Sequence, residues 1–384
     1  MFYKKKFSIV STLLLLVSIN VMAQNTNASY NYDQSKKGKV IVEKFLAPSL
    51  QGNHSGEDPL RRITIYLPPG YEESKQRYPV IYFLHGGIEK LGDSVFLAWW
   101  RINDLLDAAI RGGHIRPMIF VLPNSNANLG GGFYTNSTLT GNWSDYIGKD
   151  VIDYIDKRYR TIANRNSRGL SGHSGGGNGA LKIGILYPDV FGAVYALSPA
   201  VLGWGGDFTI NDPVFKSIDS FRNQYSIEEI FDDLIKRNDF TKFHTTSMAN
   251  MARAYSPDEE SKAFLSAKMP VKYIGDSMVI DVETKRKWEA NFPINMIESH
   301  LTALKSLNAL KLDWGRNEQN AHVPITSLQF SKKLEANKIK HFAEEYIGDH
   351  INHIGGLEGR IYTEMLPFFD TYLKFEDKTT PVSK

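Results

Sequence analysis

Two short apolar runs constrain this chain more than any other feature. Val80-Ile81-Tyr82-Phe83-Leu84 and Met118-Ile119-Phe120-Val121-Leu122 contain no charged or amide side chain. The first stops abruptly at His85-Gly86-Gly87, the second at Pro123-Asn124. A strand wetted on one face alternates apolar with polar residues. An unbroken run of this length predicts a strand covered on both faces, as in a mainly parallel sheet. Parallel neighbours need long crossovers, usually helical, and the sequence supplies them. Ile102, Leu105, Leu106 and Ala109 keep helical spacing between the two runs, and Val151, Ile152, Tyr154 and Ile155 do so later. Further strands are read at 63–67, 168–172, 193–197, 309–314 and 341–346, with a helix over 324–337. The predicted fold class is α/β: a mainly parallel, twisted sheet with helices on both faces.

Between about 202 and 300 the alternation lapses. Helical stretches at 227–235 and 288–307 are mixed with loops such as Trp204-Gly205-Gly206-Asp207. This segment is predicted to be a helical cap inserted over one end of the sheet, because the strands before and after it complete a single sheet. The first 23 residues read as an export signal: Lys4, Lys5 and Lys6, an apolar stretch from Phe7 to Asn20, and Val21-Met22-Ala23 as a small-residue cleavage site. Residues 24–39 are polar and unpatterned and read as a tether. The sheet domain is then expected over 40–376, with a short tail at 377–384.

Composition narrows the function classes. The 384 residues include 45 Lys and Arg against 42 Asp and Glu, and loss of the three leader lysines would bring the counts level. A near-neutral chain lacks the basic stripe on which nucleic-acid binding depends. The absence of cysteine excludes disulfides, a thiol nucleophile and zinc–thiolate sites. No stretch approaches the ~20 apolar residues of a membrane-spanning helix. The reading is an exported protein, periplasmic or extracellular, with no cofactor and no metal.

Glycine is densest at Gly172-His173-Ser174-Gly175-Gly176-Gly177-Asn178-Gly179, directly after a predicted strand and opening a helix through Leu181, Ile183 and Leu186. A G-x-S-x-G pattern in that context suits a sharp strand-to-helix turn that holds Ser174 in a strained conformation with Oγ exposed. Serine needs a base, and the base an orienting carboxylate. The expected chain order is Ser, acid, His. His350 follows the last strand most closely and is the predicted base, with His353 as the alternative. The acid is expected after the preceding strand, at Glu318, with Asp313 as the alternative. The H-x-x-H spacing of His350 and His353 lacks a third metal ligand. The backbone N–H groups of Gly87 and Gly175 are the predicted oxyanion donors. The His85 ring is read as a loop brace, and His114 and His322 as structural.

Several segments resemble esterase D-like α/β-hydrolases, a group that includes the feruloyl and acetylxylan esterases of carbohydrate esterase family 1. They are Arg62-Ile63-Thr64-Ile65-Tyr66-Leu67-Pro68-Pro69-Gly70-Tyr71, the run from Tyr78 to Gly87, the Ser174 turn, Phe191-Gly192-Ala193 with Ser198-Pro199, and Gly348-Asp349-His350. The resemblance covers roughly 40–200 and 245–375. It implies the α/β-hydrolase fold and serine ester hydrolysis with Ser174, Glu318 and His350 as the triad. It also places the acid three residues after the glycine ending its strand, which favours Glu318. Two positions depart from the pattern: the acid is Glu where many relatives have Asp, and Asn352 stands where an aromatic often follows the histidine.

Aromatic residues near the expected site loops, Trp99, Phe133, Tyr134, Trp143 and Trp204, are candidate platforms for a sugar or an aromatic acyl group. Export favours a large ester substrate such as acylated plant polysaccharide, carrying feruloyl or acetyl groups. An acyltransferase using the same triad, a non-catalytic glycan-binding protein on this scaffold, and a peptidase are the competing readings.

Overall fold

A computed structural model describes residues 36–87, 92–128, 130–131, 133–221, 229, 240–258, 260 and 264–376. The expected leader, most of the tether, the tail and, apart from Glu229, the helix read at 227–235 lie outside the described residues.

Eight strands form one sheet: β1 (Lys39–Leu46), β2 (Leu60–Leu67), β3 (Val80–Leu84), β4 (Ile119–Pro123), β5 (Arg168–His173), β6 (Ala193–Leu197), β7 (Ala309–Gly315) and β8 (Phe342–Tyr346). Their spatial order is β1-β2-β4-β3-β5-β6-β7-β8. Only the β1–β2 and β2–β4 pairings are antiparallel; the other five are parallel. Every residue of β3, β4, β5 and β6 is buried, the physical reason β3 and β4 read as unbroken apolar runs. This is the α/β-hydrolase fold.

Alternate residues of β5 show how both faces are covered. Gly169 lies under the Phe369 ring of α9 (Leu366–Tyr372), where a Cβ would come within 2.5 Å of ring carbons, and Ser171 Oγ meets Met365 Sδ at 3.2 Å. Gly172 instead meets the start of α4 (Gly175–Leu186). The crossovers between β3 and β5 include α1 (Gly92–Trp99), α2 (Ile102–Arg111) and α3 (Ile152–Arg158).

Several elements escaped the sequence reading. β1 pairs with β2 from Lys39↔Leu67 to Leu46↔Leu60, yet it begins where the polar tether was expected to end. An edge strand carrying Lys39, Glu43 and Lys44, with Val40 and Val42 exposed, lacks the composition of a buried one. α1 is another.

The segment between β6 and β7 is built on its own apolar cluster, which includes Phe208, Phe215, Met248, Met251, Tyr255, Trp288 and Phe292. It contains α5 (Val214–Phe221), α6 (Phe240–Tyr255), a ribbon of Val271–Ile274 against Ser277–Ile280, and α7 (Val282–Ala290). The single helix expected over 288–307 is broken. α7 stops at Ala290, and Pro293 starts a new turn, Pro293–Met296, followed by Glu298–His300 and Leu301–Ser306. Proline cannot donate the backbone bond that continuation would require. α8 (His322–Ala336) starts two residues before Pro324, which therefore falls in the first turn, where a missing N–H costs nothing. Among the described residues no helix is long and apolar enough to cross a membrane.

Candidate active site

In a parallel sheet the carboxyl ends of neighbouring strands open on the same edge, so the loops after β3, β5, β7 and β8 converge there. At the end of β5 the chain reverses through Ser174, whose φ of 58° and ψ of −120° are strained for a residue with a Cβ. Three backbone bonds fix that conformation: Ser174 N–H donates to the Leu197 carbonyl at 3.0 Å, and the Ser174 carbonyl accepts from Asn178 N–H at 3.1 Å and Ala200 N–H at 3.0 Å. The flanking glycines answer to backbone crowding. A Cβ on Gly176 would lie 1.9 Å from Leu84 O, one on Gly172 would lie 2.3 Å from Gly176 O, and one on Gly86 would lie 2.5 Å from His173 O.

Ser174 Oγ is 2.9 Å from His350 Nε2, and His350 Nδ1 is 2.8 Å from Glu318 Oε2. The Glu318 side chain is fully buried, whereas the imidazole retains 15% exposure. With the carboxylate accepting the Nδ1 proton, Nε2 presents its lone pair to the serine hydroxyl. The two loops are zipped together: Arg316 N–H donates to Tyr346 O and Asn317 N–H to Gly348 O, each at 2.8 Å. Asn352, at the departing position, clasps the histidine loop by accepting from Asp349 N–H at 2.7 Å, while Asp349 Oδ1 accepts from Ile351 N–H and Asn352 N–H.

A second histidine fixes the first. His173, the residue before Ser174, meets the His350 carbonyl through Nε2 at 2.7 Å. Its ring stacks edge-on against Trp100 and lies 4.7 Å from the His350 ring. Burial, and then the neighbouring His350, hold its pKa well below the usual histidine value, so it is neutral and donates from Nε2. Sequence reasoning treated this position as an unspecified residue of the turn.

Beside Ser174 in the pocket lining, Gly87 has φ +69° and open space where a Cβ would sit. Gly175 is the first residue of α4, and its N–H has no carbonyl a turn earlier to bond. His85 braces this loop: its Nε2 accepts from Ser125 N–H at 2.8 Å, its Nδ1 donates to Gly86 O, and burial pushes its pKa down to about 4. Tyr134 OH donates to the His85 carbonyl at 2.6 Å. A pocket opens above Ser174, lined by Gly87, Gly175, Phe133, Tyr134, Val201, Phe208, Met248, Met251, Asn250, Asn320 and His322 among others. Its walls thus combine strand-end loops with the segment between β6 and β7.

Comparison with known proteins agrees with this architecture. The profile of the family described as "Putative esterase" matches residues 58–354. The chain belongs to that family. Endo-1,4-beta-xylanase Y of Acetivibrio thermocellus is 28% identical over 172 residues, 41% of this chain and 15% of that protein. Esterase MT1326 of Mycobacterium tuberculosis is 28% identical over 196 residues, 42% of this chain and 41% of that protein. The chain therefore spans less than half the length of these curated relatives. Among solved structures, a ferulic acid esterase superposes with a TM-score of 0.59 at 20% identity, covering 88% of this chain and all of that one. An S-formylglutathione hydrolase of Staphylococcus aureus gives 0.52 at 14% identity, covering 88% and 99%.

Within this esterase-family chain the alternatives for acid and base separate cleanly. Asp313 is fully buried and bonded to Arg360 Nε and Tyr195 OH, not to His350. His353 is exposed, with a left-handed backbone whose carbonyl accepts from Arg360 N–H. Of the five aromatic candidates, Phe133 and Tyr134 line the pocket. The other three do not line it. Trp143 is completely buried and donates to Thr140 O. Trp204 stacks on Phe208 and donates to Glu289, inside the cap cluster. Trp99 is 55% exposed on α1, stacked on Trp100 and away from the pocket lining. His322, read as structural, lines the pocket, and Phe208, Met248 and Met251 were not foreseen. No local pattern marks these three, because the insertion brings them over Ser174 only in the folded chain.

Proposed function

We propose that the chain is a serine carboxylic-ester hydrolase working through an acyl-enzyme, with Ser174 as nucleophile, His350 as general base and acid, and Glu318 as the orienting carboxylate. The observation that carries this reading is the unbroken hydrogen-bonded relay from Glu318 through His350 to Ser174 at the floor of a mostly apolar pocket. Ser174 Oγ attacks the ester carbonyl carbon as its proton passes to His350 Nε2. The carbonyl oxygen becomes an oxyanion held by the N–H groups of Gly87 and Gly175. The intermediate collapses, the C–O bond to the alcohol breaks, and His350 returns the proton to the departing alkoxide. Water, deprotonated by His350, then attacks the acyl-enzyme, releasing the acid and restoring the Ser174 hydroxyl. Glu318 stays ionised throughout and stabilises the transient imidazolium.

The substrate is proposed to be a feruloyl or acetyl ester of a polysaccharide or oligosaccharide, outside the cytoplasm. Three things support this: the apolar, aromatic-lined pocket suited to an acyl group, the structural likeness to a ferulic acid esterase, and the leader pattern of residues 1–23. Replacing Ser174 with Ala is expected to abolish turnover of p-nitrophenyl acetate and of feruloylated and acetylated xylo-oligosaccharides while leaving the circular dichroism spectrum unchanged. Retained turnover would remove Ser174 from the mechanism.

A further inference from the structure

The pocket contains a second histidine–carboxylate pair that the proposed chemistry does not use. His322 opens α8 and is 5% exposed. Its Nδ1 lies 2.8 Å from Asp207 Oδ1, and the same oxygen accepts from the His322 backbone N–H at 2.7 Å. Burial raises the Asp207 pKa, but the bonds and charge of His322 outweigh it and bring the value down to about 2. Asp207 is therefore a carboxylate that accepts from Nδ1–H, and in the neutral ring this tautomer leaves Nε2 as an acceptor. The contact is built into the chain. Gly206 has φ +55°, and a Cβ there would fall 2.6 Å from His322 N, so only glycine lets the Asp207 loop press so closely on α8.

His322 Nε2 is buried and has no hydrogen-bond partner among the described residues. Asn320 Oδ1, on the same loop and also in the pocket lining, is likewise buried and unpartnered. Buried acceptors without donors are rare because losing water without replacement is unfavourable. Two of them beside the apolar side chains of Phe133, Phe208, Met248 and Met251 describe a ligand with a flat apolar body and a hydroxyl donor at its edge. We propose that His322 Nε2, oriented by Asp207, accepts a hydrogen bond from the ring hydroxyl of a hydroxyaryl acyl group and so selects hydroxylated over unsubstituted aryl esters. This rests on the reading that Ser174 deacylates esters held in this pocket.

The test compares kcat/KM for methyl cinnamate and its 3- and 4-hydroxy derivatives, with p-nitrophenyl acetate as a reporter of the nucleophile alone. A site built around a hydroxyl rejects the analogue lacking it far more strongly than an apolar pocket rejects a small change in size. The wild-type protein is expected to prefer the better hydroxylated ester over methyl cinnamate by about 100-fold. His322→Leu should bring that ratio to within about threefold of unity, and His322→Gln, which keeps an acceptor, should recover part of it. The ratio is formed within each variant, so a general loss of activity cancels. A wild-type ratio near one, a preserved ratio in His322→Leu, or turnover of p-nitrophenyl acetate without turnover of any cinnamoyl ester each overturns the proposal while leaving the hydrolase reading intact. Inertness toward p-nitrophenyl acetate as well would remove the hydrolase reading, and this proposal with it. Should His322→Leu fail to fold, the wild-type ratio and His322→Gln still decide.

Discussion

Glu318 and Asp313 are both buried carboxylates at the end of β7, and exchanging each for its amide separates a catalytic from a structural role. In Glu318→Gln the shape is kept, but the amide can turn its NH2 toward His350 Nδ1. The imidazole then carries its proton on Nε2, 2.9 Å from Ser174 Oγ, and can no longer act as a base. The expected loss is about 10⁴-fold in kcat, or about 5.5 kcal/mol of transition-state stabilisation, with a shift of at most a few degrees in melting temperature. Asp313→Asn should do the reverse. Its carboxylate binds Arg360, whose side chain is 9% exposed, and Tyr195 OH, so losing the charge leaves a nearly buried guanidinium with only the half-exposed Glu344 carboxylate to balance it. About 3 kcal/mol of stability is expected to go, while kcat per folded molecule stays within about tenfold because nothing links Asp313 to the His350 ring. Steady-state hydrolysis of p-nitrophenyl acetate and thermal melts on the same preparations measure both quantities. If Asp313→Asn abolishes turnover in a fully folded protein while Glu318→Gln retains it, the relay is assigned to the wrong carboxylate.

The remaining predictions address the elbow, the second histidine and pH. Gly176→Ala places a Cβ 1.9 Å from the Leu84 carbonyl oxygen, backbone that no rotamer can relieve, whereas at Gly175 the nearest atom is 4.0 Å away; circular dichroism should find the first variant unfolded and the second folded, and a normal melt for Gly176→Ala would refute the packing argument. His173→Phe keeps the buried ring but removes the donor to His350 O, so kcat should fall by up to about 100-fold as the base loses registration, with KM little changed; an unaltered kcat would show that the bond positions nothing. Burial pushes the Glu57 carboxyl up to about 7, against the bond from Asn128 N–H. A raised folded pKa means its contribution is fully present below about pH 4.5 and fades as pH rises through 7. The stability difference between wild type and Glu57→Gln, from calorimetry at a series of pH values, should therefore move in the variant's favour by about 3 kcal/mol between pH 4.5 and 8; a pH-independent difference would contradict the buried, protonatable carboxyl.

What the sequence disclosed and what it hid follow a physical division. The glycines around Ser174 are demanded by backbone meeting backbone, Gly172 against Gly176 within the turn and Gly176 against Leu84 of the neighbouring strand; because every such contact falls at the turn, the glycine spacing is visible in one dimension. Glu318 and His350 were reachable because a parallel sheet delivers the loop after every such strand to one edge, and chain order then suffices. Direction is a different matter. Trp143 and Phe133 are both aromatics near the expected loops, yet one is sealed in the core and the other faces the pocket, an outcome set by packing against residues far away in sequence. Asp207 and His322 lie 115 positions apart, and only the insertion folding back on α8 turns an isolated histidine into an oriented acceptor.

That division also separates reaction from selectivity. The relay and the proposed oxyanion donors sit on loops anchored to β3, β5, β7 and β8, where the flanking strands are paired on both sides or zipped by backbone bonds. Much of the wall that an acyl group would touch (Phe208, Met248 and Met251) comes from the segment between β6 and β7, which has an apolar cluster of its own. Methionine is unbranched and polarisable, so it can repack around a flat ring without moving the strands that aim Ser174. The proposed bond-breaking machinery is thus held by the sheet, while the shape presented to the substrate depends on a segment that, among the described residues, contributes no strand to it.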